Sequence, residues 1–458
     1  MTDGFEADEF DQDARDAADT VFATLLERVG EQSPAPRLDA TRRVVELLGD
    51  PHRAAPVVHL TGTNGKTSTS RITESLLRAV GLRTGLLTSP HLERFTERIR
   101  IDGEPVADEA VARIWEEIAP IVALVDIELE AAGELRLTFF EAFTVLAFAC
   151  FADAPVDVVV LEVGMGGAWD ATNVADGQVA VFTPIALDHE SRLGRTVEEI
   201  ARTKSGIVKP GAAVVTAFQE PAALAALREA ADRNGASFEV EGGGFAVLDS
   251  RVAVGGQLVT IRGLGGVYEE VPLPLFGRHQ AENAAVAIAA VEAFLGGARL
   301  DDEVVEVGLG AVTSPGRLQR VASDPTLIVD AAHNPHGAES LAAAIEEYFD
   351  FSELVIVLGI LADKDVEGIA RALEPTGATF VVTCSSSDRA VPVDVLADRV
   401  AAVVGADRVT SADRLEDALE DARDWADSEP GRGVVVTGSI TLVGEVLATA
   451  RDRGWSGE

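Results

Sequence analysis

The chain has 458 residues, 47% of them hydrophobic, which is enough to bury a large core across two or three domains and excludes a largely disordered protein. A formal net charge of -38, from 76 acidic and 38 basic residues, excludes nucleic acid and anionic membrane as partners. The acidity is spread along the chain and lysine is nearly purged, a composition suited to a salt-saturated cytoplasm, with abundant potassium, of an extreme halophile.

Residues 1–18 read as an acidic, flexible, solvated tail. From residue 57 the pattern alternates strand and helix. Strands are expected at 57–61, 84–88, 156–162, 179–184 and 213–217, with helices at 69–79, 106–123, 138–151, 196–206 and 222–233. Such alternation predicts a mostly parallel sheet covered on both faces. Residues 242–275 read as an antiparallel ribbon and 279–296 as a helix. A turn at Ser314-Pro315-Gly316 marks a boundary, giving domains at 19–312 and 313–458. In the second domain strands fall at 327–331, 354–358, 379–384 and 433–437, with helices starting near 336, 365, 392, 413 and 441. The fold class is α/β, with a P-loop nucleotide-binding domain followed by a smaller Rossmann-like domain. The chemistry is expected in the cleft between them. Cys150 and Cys384 sit far apart in apolar contexts and read as reduced thiols of a cytoplasmic protein. No signal peptide and no membrane-spanning run is expected.

The apolar run ending at Leu60-Thr61 leads into Gly62-Thr63-Asn64-Gly65-Lys66-Thr67-Ser68 and then a helix. Amides of such a loop converge on one point at a helix N-terminus, which favours phosphate. Lys66 adds a point charge, and the Thr67 hydroxyl can face a magnesium ion. Leu60 stands where the full P-loop pattern has its first glycine. Only four lysines remain, Lys66, Lys204, Lys209 and Lys364, so the survivors are enriched for places where a guanidinium will not serve. Ser89, Glu162 and either Asp188 or His189 close predicted strands, the edge at which α/β sheets bind ligands. Glu162 ends an apolar strand, and a metal ion would partner such a buried carboxylate. Lys204 beside that site is either an ammonium facing phosphate or a neutral amine that adds carbon dioxide and becomes a metal-binding carbamate. In the second domain Arg317 could clamp a phosphate, and Asp330 could accept from ribose hydroxyls, with His333 close behind in sequence.

The order of these strings resembles the folylpolyglutamate synthase/dihydrofolate synthase branch of the Mur ligase superfamily. The matching strings start at Thr61 (TGTNGKTS), Ser89 (SPHL), Thr96 (TERI), Leu161 (LEVGMGG), Asp170 (DATN), Leu187 (LDH), Lys204 (KSGIVKP), Gly316 (GRL), Asp330 (DAAHNPH) and Asp363 (DKD). The resemblance implies a Mur-ligase-like fold and an ATP-dependent ligase. A pteroate or folate carboxylate would be joined to L-glutamate through an acyl phosphate. The alternatives are a Mur-type amino-acid ligase acting on a cell-wall precursor and a nucleotide-binding protein without catalysis. The resemblance further implies that Lys66 and its loop hold ATP. Ser89 and Glu162 would bind one magnesium, and Glu162, His189 and carbamylated Lys204 a second. Asn283, Arg317 and Asp330 would contact the nucleotide, with His333 near the transferring phosphate. Thr138, Phe139, Phe140 and Glu141, with Trp169, Asp170 and Ala171, would meet the pterin. Ala168-Trp169 stands where relatives carry arginine and an aliphatic residue, which removes a cation there, and 27–37 lacks the family's aromatic residues. A monomer of haloarchaeal origin, with potassium as a further cofactor, completes the expectation.

Overall fold

The computed structural model describes residues 3–30 and 35–455. The chain divides into two compact units. One takes residues 1–248, 260–271 and 282–311, and the other takes 249–259, 272–281 and 312–458.

The first unit holds β1 (Val57–Thr61), β2 (Thr84–Leu87), β3 (Ile99–Ile101), β4 (Glu104–Pro105), β5 (Val158–Glu162), β6 (Gly177–Phe182), β7 (Ala213–Thr216) and β8 (Ser237–Val240). They form one sheet in the order β4-β3-β2-β5-β1-β6-β7-β8. Every pair from β2 to β8 along the sheet is parallel, and β3 pairs antiparallel with both β2 and β4. Strands β1 and β5 are buried along their whole length, which is why they read as unbroken apolar runs and not as alternation. Helices Lys66–Ala79, Asp108–Ala131, Phe139–Asp153, Val197–Lys204 and Pro221–Asn234 follow the strands as expected. Strands β9 (Ala246–Ala253), β10 (Gly256–Arg262) and β11 (Val267–Leu273) form a small sheet in the order β11-β10-β9. Connections this short admit only hairpins.

Helices Asp39–Leu47 and Asp302–Gly310 and strands β3, β4 and β8 were not expected, and two expected elements differ. The segment read as a solvated tail is part of a helix, Asp3–Leu26. Ala14, Ala18, Val21 and Leu25 on it are buried, the last three in the core with Val111, Ile114 and Ile118. Met1 and Thr2 of that segment lie outside the described residues. Helix Asp108–Ala131 continues past the expected end at 123, with Pro120 inside it. Its buried stripe simply goes on through Val122 and Val125, and Asp126 is held by Arg28 at 2.8 Å.

The second unit contains β12 (Gln319–Ser323), β13 (Thr326–Val329), β14 (Glu353–Leu358), β15 (Thr379–Val382), β16 (Val409–Ser411) and β17 (Arg432–Thr437). The order is β12-β13-β17-β14-β15-β16, parallel except for β12. Its core gathers Ile328, Ile356, Leu358, Phe380 and Val435 from the strands with Leu341, Ile369 and Leu396 from the helices. No helix among the described residues is long and apolar enough to cross a membrane.

Candidate active site

Sheet register brings the sequence-predicted residues of the first unit to one edge. Leu60 lies opposite Glu162, Leu87 opposite Leu161, and Thr61 opposite Phe182. The loop after β1, Ser89 after β2, Glu162 at the end of β5, and Asp188 and His189 after β6 therefore leave the carboxyl ends of four adjacent parallel strands. That edge is where such sheets bind ligands.

The loop after β1 is tied down on both sides. The Thr63 and Asn64 amides donate to Pro184 O at 2.9 and 3.4 Å, and Thr63 Oγ1 donates to Ala186 O at 3.0 Å. Thr61 Oγ1 donates to Gly166 O at 2.8 Å. A Cβ on Gly62 would fall 1.8 Å from Thr183 Oγ1, so only glycine lets these strand ends approach. Gly65 has φ +84 and a Cβ there would meet Asn283 Oδ1 at 2.6 Å. Asn283, on helix Arg278–Phe294, is thus packed against the loop although it is remote in sequence. Lys66 opens helix Lys66–Ala79, and its Nζ donates to Thr63 O at 3.1 Å, while Ser68 is buried in the first turn.

Thr67 Oγ1 lies 2.9 and 3.0 Å from the two oxygens of buried Glu162. A hydroxyl and a carboxylate held together at a phosphate loop are hard oxygen donors. Magnesium takes one or two carboxylates and completes its shell with phosphate oxygens and water, so this pair fits it. Among the described residues no three His, Cys, Asp or Glu side chains stand close enough to hold a metal by themselves. His189 has φ +50 ahead of helix Glu190–Leu193, and its Nε2 lies 3.8 Å from Asp188 Oδ2. Ser89 is half-buried.

Lys204, at the end of helix Val197–Lys204, is 3% exposed and donates from Nζ to Gly62 O at 2.7 Å. Burial, reinforced by the charge of Lys66, pulls its pKa down to about 7 against the opposing pull of Asp188 and Asp170. A large share of the amine is therefore neutral near neutral pH.

The loop after β5 packs tightly on this helix. A Cβ on Gly167 would meet Lys204 O at 2.6 Å, and the Ala168 amide donates to Thr203 O at 2.9 Å. Asp170 accepts from the Met165 amide at 2.9 Å, the Thr172 amide at 3.0 Å and Thr172 Oγ1 at 2.5 Å. Burial still raises its pKa to about 6. His59 Nε2 lies 2.9 Å from Thr172 Oγ1, and burial holds that imidazole neutral, at about 3. Ala171 begins the short turn Ala171–Val174 and is buried. Half-buried Trp169 packs with Met165 on the cluster of Leu193 and Ile200.

The other expected acceptor residues are more occupied than the sequence indicates. Thr138 and Glu141 form a capping box on helix Phe139–Asp153. The Glu141 carboxylate also takes Arg37, at 3.0 and 3.2 Å. Phe139 is buried, its ring 5.8 Å from Phe143 and 6.0 Å from Phe22 of the N-terminal helix. Phe140 covers Gly164, where a Cβ would meet its ring at 2.6 Å. Buried Arg98 lies over Phe139 and Phe143 and donates to His91 Nδ1 at 2.8 Å, a cluster that sequence reasoning missed. The strings SPHL and TERI carry both partners. Of the segment 27–37, residues 31–34 lie outside the described residues.

In the second unit, buried Asp330 accepts from the Leu318 amide at 2.7 Å and the Ala332 amide at 2.8 Å. The strings GRL and DAAHNPH are thus two sides of one local structure. Burial raises the Asp330 pKa, against the pull of Arg317 and both amides. His333 Nδ1 lies 2.9 Å from Ala331 O. A carbonyl only accepts, so Nδ1 carries a proton and Nε2 faces outward from that bond.

Two family models match, the Mur ligase middle domain over residues 107–291 and the Mur ligase glutamate ligase domain over 316–440. A Mycobacterium tuberculosis dihydrofolate synthase/folylpolyglutamate synthase is 45% identical over 443 residues, 92% of this chain and 91% of that one. A Halobacterium salinarum protein named as a probable bifunctional folylpolyglutamate synthase/dihydropteroate synthase is 37% identical, and the match covers 50% of its length. Among solved structures, the Mycobacterium tuberculosis folylpolyglutamate synthase complexed with ADP and AMPPCP superposes with a TM-score of 0.91 at 44% identity, over 95% of this chain and 99% of that one. Escherichia coli FolC in complex with DHPP and ADP gives 0.79 at 32% identity, over 91% and 94%.

Proposed function

We propose the reaction from one premise: the chain belongs to the dihydrofolate synthase/folylpolyglutamate synthase family of Mur ligases. It is an ATP-dependent ligase that forms an amide between a pteroate or folate carboxylate and L-glutamate. The acceptor carboxylate attacks the γ-phosphate of ATP, giving an acyl phosphate and ADP. The amine of glutamate then adds to the acyl carbon, and the tetrahedral intermediate collapses with loss of phosphate and a proton. The observation that carries this reading is the loop from Gly62 to Ser68, held to Glu162 through Thr67 and to Lys204 through Gly62 O.

The chain's own part is to bring anions together and hold them. We assign the loop amides and Lys66 to the ATP phosphates, and Asn283, Arg317 and Asp330 to the nucleotide. His333 is assigned to the transferring phosphate. Thr138, Phe139, Phe140, Glu141, Trp169, Asp170 and Ala171 are assigned to the acceptor, Phe139 as a wall beneath it. Ser89 and Glu162 would hold one magnesium, and Glu162, His189 and Lys204 a second. When bound, the ions neutralise charge between phosphate and carboxylate. A carbamate on Lys204 is our reading because a buried neutral amine adds carbon dioxide and releases one proton. A boundary near 312 then separates an ATP-binding domain, helix Asp3–Leu26 included, from a glutamate-ligase domain at 313–458.

The charge of -38 and the four lysines support a cytoplasmic, monomeric enzyme of an extreme halophile, haloarchaeal in our reading, working in concentrated potassium. The test is phosphate release from Mg-ATP and L-glutamate in concentrated KCl. Release with dihydropteroate alone means a dihydrofolate synthase, with tetrahydrofolate alone a polyglutamylating enzyme, and with both a bifunctional one. No acceptor-dependent release from folded protein overturns the reading.

A further inference from the structure

We propose that Lys209 is a positioning residue for the ligase reaction, acting through Asn173 on the loop that carries Trp169, Asp170 and Ala171 and on the turn that follows Lys204. The inference rests on the reading of that loop as part of the acceptor site.

Three of the chain's four lysines lie in the first unit, and each gives Nζ to a backbone carbonyl. Lys66 reaches Thr63 O at 3.1 Å, Lys204 reaches Gly62 O at 2.7 Å and Lys209 reaches Asn173 O at 2.9 Å. In a chain that otherwise uses arginine, an amine on a flexible stem is kept where a backbone carbonyl is the target. The planar guanidinium fork suits paired acceptors instead. Two of these lysines already serve the phosphate loop, and Lys209 makes the same kind of bond one loop away.

Asn173 is the knot that Lys209 fixes. Its Nδ2 spans Ala168 O and Gly206 O, both at 3.1 Å. Ala168 belongs to the loop after β5, and Gly206 to the short helix Ser205–Ile207 that directly follows Lys204. At Gly206 a Cβ would stand 2.4 Å from Ala168, so the two backbones are in contact. Lys209 itself is placed by the turn in which the Ala212 amide donates to its carbonyl at 3.1 Å, just ahead of β7. The bond from Lys209 therefore runs from a rigid strand entry to the far end of the acceptor loop. The near end of that loop is held independently, by Thr61 on Gly166 O and by Asp170 on the Met165 amide. Losing Lys209 releases one end only, which predicts a loosened acceptor site beside an intact phosphate loop.

The experiment uses the full chain with Lys209→Met, read by amide hydrogen exchange and by initial rates. Exchange across 163–175 and 203–208 should rise about tenfold, the size set by one charge-assisted hydrogen bond, with 57–61 and 158–162 unchanged. The KM for the pterin acceptor should rise by about the same factor, with the KM for ATP changed less than about twofold. Lys209→Gln, shorter and neutral but polar, repeats the test if the apolar variant does not fold, with the same expected direction. Unchanged exchange in 163–175 overturns the proposal. So does looser exchange with an unmoved acceptor KM, or an equal rise in both KM values. Absence of turnover in the wild type overturns the ligase reading instead, and exchange then still decides whether Lys209 holds the loop.

Discussion

Asp170 shows what a buried side chain can do for a loop and what it costs. Its carboxylate accepts from two amides and one hydroxyl, yet burial outweighs them and raises its pKa from 3.8 to about 6. A group with a raised folded pKa contributes stability that is complete below the unfolded value and is lost as pH rises through the folded value. Stability should therefore fall between pH 4 and 7 by up to roughly 3 kcal/mol from this residue. Asp170→Asn removes that slope, at the cost of one acceptor oxygen. Denaturation of both proteins in concentrated KCl at pH 4.5 and 7 checks this, and parallel pH curves would contradict it. Lys204 is judged by activity. Lys204→Arg keeps a positive charge but forms no carbamate, so phosphate release should drop ~10²-fold or more, the cost of losing one such electrostatic contact. Full activity without added bicarbonate or short carboxylic acids would remove the carbamate from the mechanism. Lys204 was legible in the sequence as one of four retained lysines on an expected helix, and Asp170 only as part of the DATN string that carries the family resemblance. The partner of Lys204 was not, since Gly62 O becomes its neighbour only when separate loops fold over one sheet edge.

At the scale of elements, the sequence pattern located the longer strands and helices from residue 57 onward, missed β3, β4, β8, β12, β16 and helix Asp302–Gly310, and misread the start. Helix Asp3–Leu26 has a sequence rich in Asp and Glu, so its composition resembles a solvated tail. Its apolar stripe is narrow, Ala14, Ala18, Val21 and Leu25, two of them alanines that carry little hydropathy signal. Spaced by four, three and four residues, they line one helical face against helix Asp108–Ala131. The same stripe explains why that second helix tolerates Pro120, because packing along its length offsets one lost backbone bond. The prediction follows from burial. Leu25 is fully buried, so Leu25→Ala should destabilise the first unit by about 2–5 kcal/mol, whereas a frayed tail would show no change. Thermal unfolding followed by circular dichroism separates the two. The expected acceptor segment also has a structural role. Thr138 and Glu141 are a helix start signal as well as a family motif, and the structure uses them as a capping box with Arg37 on the carboxylate.

The whole molecule carries a charge of -38 in 458 residues, and that repulsion has to be reconciled with a folded, closely packed chain. Arginine is the main local answer. Arg94 bridges Asp19 and Asp108, Arg113 bridges Glu117 and Asp153, Arg202 bridges Glu198 and Glu229, and Arg432 bridges Glu353 and Glu429. Each arginine spends one cation on two carboxylates, which suits a chain with twice as many acids as bases. Exposed pairs of this kind contribute only about 0–1 kcal/mol each, so they cannot cancel the excess. Screening is the global answer. The Debye length falls from about 10 Å at 0.1 M salt to about 3 Å at 1 M, short enough to uncouple most exposed carboxylates from one another. Salt weakens the arginine bridges as well, but the unpaired acids outnumber them, so repulsion loses more than attraction. The midpoint of thermal unfolding should therefore climb steadily from 0.1 M to multimolar KCl, and partial unfolding should set in at low salt. Sodium chloride at equal ionic strength should act alike if screening is the cause, and a selective effect of potassium would point to bound ions instead. A midpoint that is flat or falls with KCl would mean that the acidity is offset within the fold, and the halophilic reading of the composition would fail with it.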